Sequence, residues 1–193
     1  MKEIFLILAA GISIVAVLPY ARDIVKGKTK PNIASWITWS LLTGVATVAE
    51  FAAREYATAI FTSFAALATT FIVVLGLKYG YVKYTLFDAV CQVGAFSGFI
   101  LWWFFNSPAA AVIASVSIDF IGVLPTIRHS YVAPYEETWI TYVLSGVAGV
   151  FALLALSAYN WTSLTYPAYI VFANFLIVAV ILQRIKKVPR PAQ

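Results

Sequence analysis

Apolar residues in this chain come in continuous runs of about twenty, separated by short polar segments. The pattern is neither the alternation of a half-buried strand nor the one-sided stripe of a surface helix. Seven such runs lie at about 3–21, 32–52, 57–77, 83–105, 107–127, 137–157 and 161–184. A run of about twenty apolar residues matches the hydrocarbon thickness of a bilayer. The pattern therefore predicts an all-α membrane protein with seven transmembrane helices, and it excludes a β-barrel, whose strands alternate.

Two stretches read as copies. The first has Val17-Leu18-Pro19-Tyr20-Ala21-Arg22, then Pro31, Trp36-Ile37-Thr38-Trp39 and Gly44-Val45-Ala46. The second has Val123-Leu124-Pro125-Thr126-Ile127-Arg128, then Pro134, Trp139-Ile140-Thr141-Tyr142 and Gly146-Val147-Ala148. The copies cover runs 1–3 and 5–7. Three is odd, so run 4 must turn the chain once more to give both units the same orientation. The expected plan is two parallel three-helix bundles joined by a linker helix (3+1+3). Residues 1–80 form the first repeat, 81–106 the linker, and 107–193 the second repeat with a basic tail. Lys2 ahead of run 1 is also the layout of a signal peptide, but the match of run 1 to run 5 predicts that it is kept as structure.

Composition agrees with this class. The 193 residues are 62% hydrophobic and 11% charged, where a soluble chain carries about 25% charged residues. One cysteine, Cys91, excludes an intrachain disulfide, and with one histidine, His129, no metal cluster or cofactor site is expected. Eleven of the thirteen basic residues fall on one side of the predicted bundle: Arg22, Lys26, Lys28, Lys30, Lys78, Lys83, Arg128, Arg184, Lys186, Lys187 and Arg190. Lys2 and Arg54 fall on the other. Positive charge marks the cytoplasmic side, so the chain is expected in the cell membrane with its N-terminus outside and its C-terminus in the cytoplasm. The net charge of +5 then reads as contact with anionic lipid and not as a nucleic-acid footprint.

The 3+1+3 plan, the outer N-terminus and the prolines late in runs 1 and 5 resemble the SWEET and PQ-loop superfamily. Its members are seven-helix sugar facilitators, cystinosin-type proton-coupled exporters and PnuC-type vitamin carriers. The Gln of the PQ motif is absent, since Tyr20 follows Pro19 and Thr126 follows Pro125. Trp36-x-x-Trp39 is similar to the Trp-x-x-Trp of PnuC carriers, although the second copy has Tyr142 and those carriers insert the other way up. The resemblance implies alternating-access transport. The KDEL receptor shares the plan, so a non-transporting receptor or sorting protein is the alternative.

Pro19 and Pro125 each free a carbonyl four residues earlier; they are candidate hinges, or else static kinks. Asp119 lies roughly 18 Å into its helix, where an aspartate costs about 2.5–3.5 kcal/mol and usually faces the bundle interior. It is a candidate proton-coupling or substrate group, or a structural acid bonded to a neighbouring helix; its counterpart in the first copy is Ser13. Asp88, a second proton-coupling candidate, also fits a helix cap beside Lys83. Trp39 and Tyr142 fit the aromatic walls of a pocket, whereas Trp36, Trp139, Trp102, Trp103 and Trp161 fit the interfacial belt. Asn174, with Tyr169 and Tyr166 before it, is a candidate polar contact, as the resemblance to SWEET-like facilitators implies, or interhelical glue. Arg22 and Arg128 fit lipid phosphates, with a gate pair to Asp23 or Glu136 as the alternative. Asn160-Trp161-Thr162 matches a glycosylation sequon close to the membrane.

No Ser/His, Cys/His or His-rich set lies within the runs, so no enzyme is expected. Run 7 has no lysine before Lys186, which excludes a retinal photoreceptor. Aromatic and neutral polar pocket candidates, with no inward Arg or Lys, point to a small neutral, zwitterionic or cationic solute. Oligomeric state is not encoded in these patterns.

Overall fold

The computed structural model describes the backbone of residues 1–52, 54, 56–80, 84–104 and 108–189. It describes their side chains except at 50, 52, 56–61, 101–103, 108 and 109. Among these residues the chain forms seven α-helices: α1 (Lys2–Val25), α2 (Ile33–Ala52), α3 (Tyr56–Tyr79), α4 (Leu86–Phe104), α5 (Pro108–Val132), α6 (Trp139–Ala155) and α7 (Trp161–Ile185). A short 3-10 turn, Pro134–Glu136, precedes α6. Each apolar run meets a helix. Helices α1 and α5 continue past Arg22 and Arg128, because a helix bonds its own backbone and needs apolar side chains only where it meets lipid.

Four helical segments are long and apolar enough to cross a membrane: Lys2–Val25, Thr62–Tyr79, Ala110–Val132 and Trp161–Ile185. The apolar parts of α2, α4 and α6 are shorter. Large apolar side chains are exposed on all seven helices, among them Ile7, Val48, Leu67, Val93, Ile113, Leu154 and Phe172. A soluble fold would bury many of these; here they form a coat suited to lipid. The chain is a multi-pass helical membrane protein.

The helices group into two triads and a linker. Helix α3 packs on α1 and α2, and α7 packs on α5 and α6. Between the triads α1 packs on α6 and α2 on α5, while α4 lies mainly on α5. At one end Lys2 donates to the Ser157 carbonyl, after α6. At the other, the Lys30 amide, after α1, donates to the Glu136 carbonyl, after α5. The C-terminal ends of α1 and α5 therefore lie together, and the two helices run the same way.

Close approach depends on one glycine between the triads. A Cβ on Gly122 of α5 would stand 2.6 Å from Thr38 Cγ2 of α2, so only glycine admits this contact. The glycines of the duplicated pattern do not share surroundings. Gly146 lies against the Phe175 ring, whereas Gly44 has open space beside it. Helix α1 ends on Gly27, whose φ of +68° suits glycine, with the Lys28 amide reaching back to the Asp23 carbonyl at 2.8 Å. That tight stop aims the next residues, Thr29 and Lys30, at the second triad.

Candidate functional site

A cavity of about 260 Å³ lies between the triads, with walls from every helix but α4. Helix α1 contributes Ser13 and Val17, α2 Trp36, Trp39 and Thr43, and α3 Phe64 and Thr69. Helix α5 contributes Asp119 and Val123, α6 Thr141, Tyr142 and Ser145, and α7 Tyr166 and Asn174. Three of the wall hydroxyls are held locally: Ser13 donates to Ala9, Thr43 to Trp39 and Thr69 to Ala65 carbonyls, whereas the buried Thr141 hydroxyl has no hydrogen-bond partner among the described residues. Ile14 and Phe64 of the wall are 47% and 52% exposed, so the cavity is open on that flank. It is smaller than the roughly 300 Å³ at which drug-sized sites begin, a size for a small solute.

Asp119 is buried, and its Oδ2 accepts the Tyr169 hydroxyl at 2.7 Å. Among the described residues, no Lys, Arg or His lines the cavity. Five rings do: Trp36 and Trp39 meet edge to face at 5.0 Å between centroids, and Phe64, Tyr142 and Tyr166 stand on other helices.

Below Trp36 and Tyr142 the bundle is sealed. Tyr20, Ile24, Ile72, Val123, Ile177 and Ile181 pack into one buried cluster. Beyond it the two triads interlock. Tyr20 Oη of α1 and Tyr142 Oη of α6 both donate to Glu137 Oε2 at 2.9 Å, and the Trp36 indole N–H donates to Tyr20 Oη at 3.2 Å. The Thr29 and Thr138 hydroxyls are 2.5 Å apart, Thr138 donates to Asp23, and Lys30 pairs with Glu136. Glu137 lies in the connection before α6 with its side chain fully buried. Burial pushes its carboxyl up to about 8; the Tyr142 and Tyr20 hydroxyls pull it down, and the charge of Glu136 pushes it further up. Its Oε1 has no hydrogen-bond partner.

The expected site residues divide between these features. Trp39, Tyr142 and Asn174 lie in the cavity wall with Asp119. Asn174 also donates to its own helix at Ile170. Tyr169 stands behind the wall on Asp119, and Tyr166 takes the place beside the cavity. Trp36, expected in the interfacial belt, is instead 4% exposed, held by its bond to Tyr20 and a ring contact at 4.8 Å. Trp139 and Trp161 are exposed, and the Trp102 and Trp103 side chains lie outside the described residues.

Pro19 and Pro125 sit inside unbroken helices. Neither lines the cavity, but Val17 and Val123, two residues before each, do. Asp88 is buried away from it. Its Oδ2 accepts the Thr85 amide and hydroxyl, capping α4, and its Oδ1 accepts the Asn32 amide at the start of α2. Lys83 lies outside the described residues. Arg22 pairs with its neighbour Asp23, and Arg128 lies over the Phe87 ring. The Asn160 side chain caps α7 through Ser163.

Sequence reading missed Glu137 and Tyr20. An acid beside a second acid, just ahead of a membrane helix, reads as solvated, and nothing local shows that Tyr20 covers it. The one hint was Tyr20 itself, a phenol deep enough in the bundle to need a polar partner. No protein-family model, curated protein or solved structure matches the chain.

Proposed function

We propose that this protein is a transporter, and not an enzyme, that moves a small solute by alternating access between two parallel repeats, α1–α3 and α5–α7. In this reading all seven helices cross the bilayer, as in SWEET and PQ-loop proteins, and the basic end faces the cytoplasm and its anionic lipid. The observation that carries it is a cavity between the triads, open on one flank, above a closure whose contacts run from one triad to the other. Rocking one triad against the other breaks those contacts and opens the cavity at the basic end. The matching prolines supply the bend. Asp119, the ionisable group of the cavity wall apart from tyrosines, couples transport to protons.

Uptake into proteoliposomes holding a pH-sensitive dye tests this. A solute panel should reveal one that enters against its gradient when a pH gradient is imposed. Asp119→Asn keeps an acceptor for Tyr169 but cannot ionise, and it should abolish the response to pH. A mutant that responds like wild type ends proton coupling through Asp119. Solute binding with no uptake by any gradient favours a receptor or sorting protein.

A further inference from the structure

We propose that the cavity binds a small organic monocation lacking a carboxylate, and that this cation and a proton compete for Asp119. The inference rests on the transporter reading and names its substrate class.

A buried carboxylate requires a partner of opposite charge or a proton. Among the described residues, the hydrogen bond that reaches the Asp119 carboxylate is that of the Tyr169 hydroxyl on Oδ2. The titratable groups beside it are Tyr166 and Tyr169 of α7. Of the other elements packed on α5, α4 carries Asp88 and Cys91, the described side chains of α2 carry none, and the 3-10 turn brings Tyr135 and Glu136, beyond the C-terminal end of α5. The protein thus offers no cation here among the described residues, and the ligand is left to supply one. Trp36, Trp39, Phe64, Tyr142 and Tyr166 line the same space, and aromatic rings attract an organic cation further. The wall has no basic side chain to receive a carboxylate, which disfavours amino acids. A neutral solute would leave Asp119 still in need of a proton, whereas a cation replaces it. One site that holds either species exchanges one for the other.

Choline is a suitable probe, with its neutral isostere, in which a tert-butyl group replaces the trimethylammonium, as control. Binding to the full chain in detergent is read by quenching of tryptophan fluorescence. Choline should bind at least about tenfold more tightly than the isostere at about pH 8, with the advantage shrinking towards about pH 5 as protons compete. Asp119→Asn should remove the advantage, bringing the choline and isostere affinities together. Equal affinities at high pH, no choline binding, or an advantage retained in the mutant overturns the proposal. If the mutant does not fold, the pH series on wild type decides, and a choline advantage that does not change with pH overturns the competition. A neutral solute that enters with protons while choline fails would sink the cation class and leave the transporter. Choline binding without uptake would do the reverse.

Discussion

Tyr20 of α1 and Tyr142 of α6 donate to one oxygen, Glu137 Oε2, at 2.9 Å each. The two tyrosines come from different triads, so a single acceptor joins the halves. Tyr142 and Trp36, which bonds to Tyr20, are also cavity walls. A solute that moves either ring pulls on the closure below it.

Glu137 should make stability depend on pH. Its carboxyl is raised from 4.5 to about 8 by burial, so the folded state holds a proton that the unfolded chain has released. Its stabilisation is complete below the unfolded value and is lost as pH rises through the folded one. The melting temperature in detergent should therefore fall between pH 4.5 and about 8. Glu137→Gln should flatten that fall, and an unchanged slope would show that Glu137 does not carry it.

The Thr29 and Thr138 hydroxyls, 2.5 Å apart, allow the closure to be locked. Cysteines at both positions, with the buried Cys91 replaced by alanine, should form a disulfide on oxidation and stop uptake. Reduction should restore it at least about tenfold. Undiminished uptake in the cross-linked protein would mean that this contact stays closed throughout the cycle.

Gly122→Ala and Gly44→Ala should differ. The first puts a Cβ 2.6 Å from Thr38 Cγ2 and the second meets nothing within 4 Å. Overpacking at Gly122 should cost about 1–3 kcal/mol, whereas at Gly44 the higher helix propensity of alanine leaves stability equal or improved. Thermal unfolding of the two variants side by side is the measurement.

Pro19→Ala and Pro125→Ala should keep or raise stability, because each restores a helix bond. If these positions bend during transport, uptake should fall about tenfold with binding retained. Unchanged uptake would assign both prolines to static geometry.

The helices were legible because continuous apolar runs admit few other structures, and the order of turns was legible because Pro, Trp and Arg repeat in sequence. Trp39, Tyr142 and Asp119 were legible as cavity residues by depth alone. Trp36 was misplaced because its distance along α2 suits a headgroup, while the chain between α1 and α2 folds back and brings Tyr20 over it. Glu137 was invisible for the same reason: burial in a connection is set by the opposite triad, not by its neighbours in sequence. The duplicated glycines, one packed and one free, show that a repeated letter need not mean a repeated contact.

Ser13 and Asp119, equivalent positions of the two copies, both face the cavity, and this makes the pair of halves indivisible. Two first halves assembled together would present two serines and no charge. Two second halves would set a pair of carboxylates across about 260 Å³, and like charges that close suppress each other's ionisation. One unit of charge in that space requires two unlike halves. A single chain that joins them delivers that ratio at every folding event, which assembly from separate identical subunits cannot do.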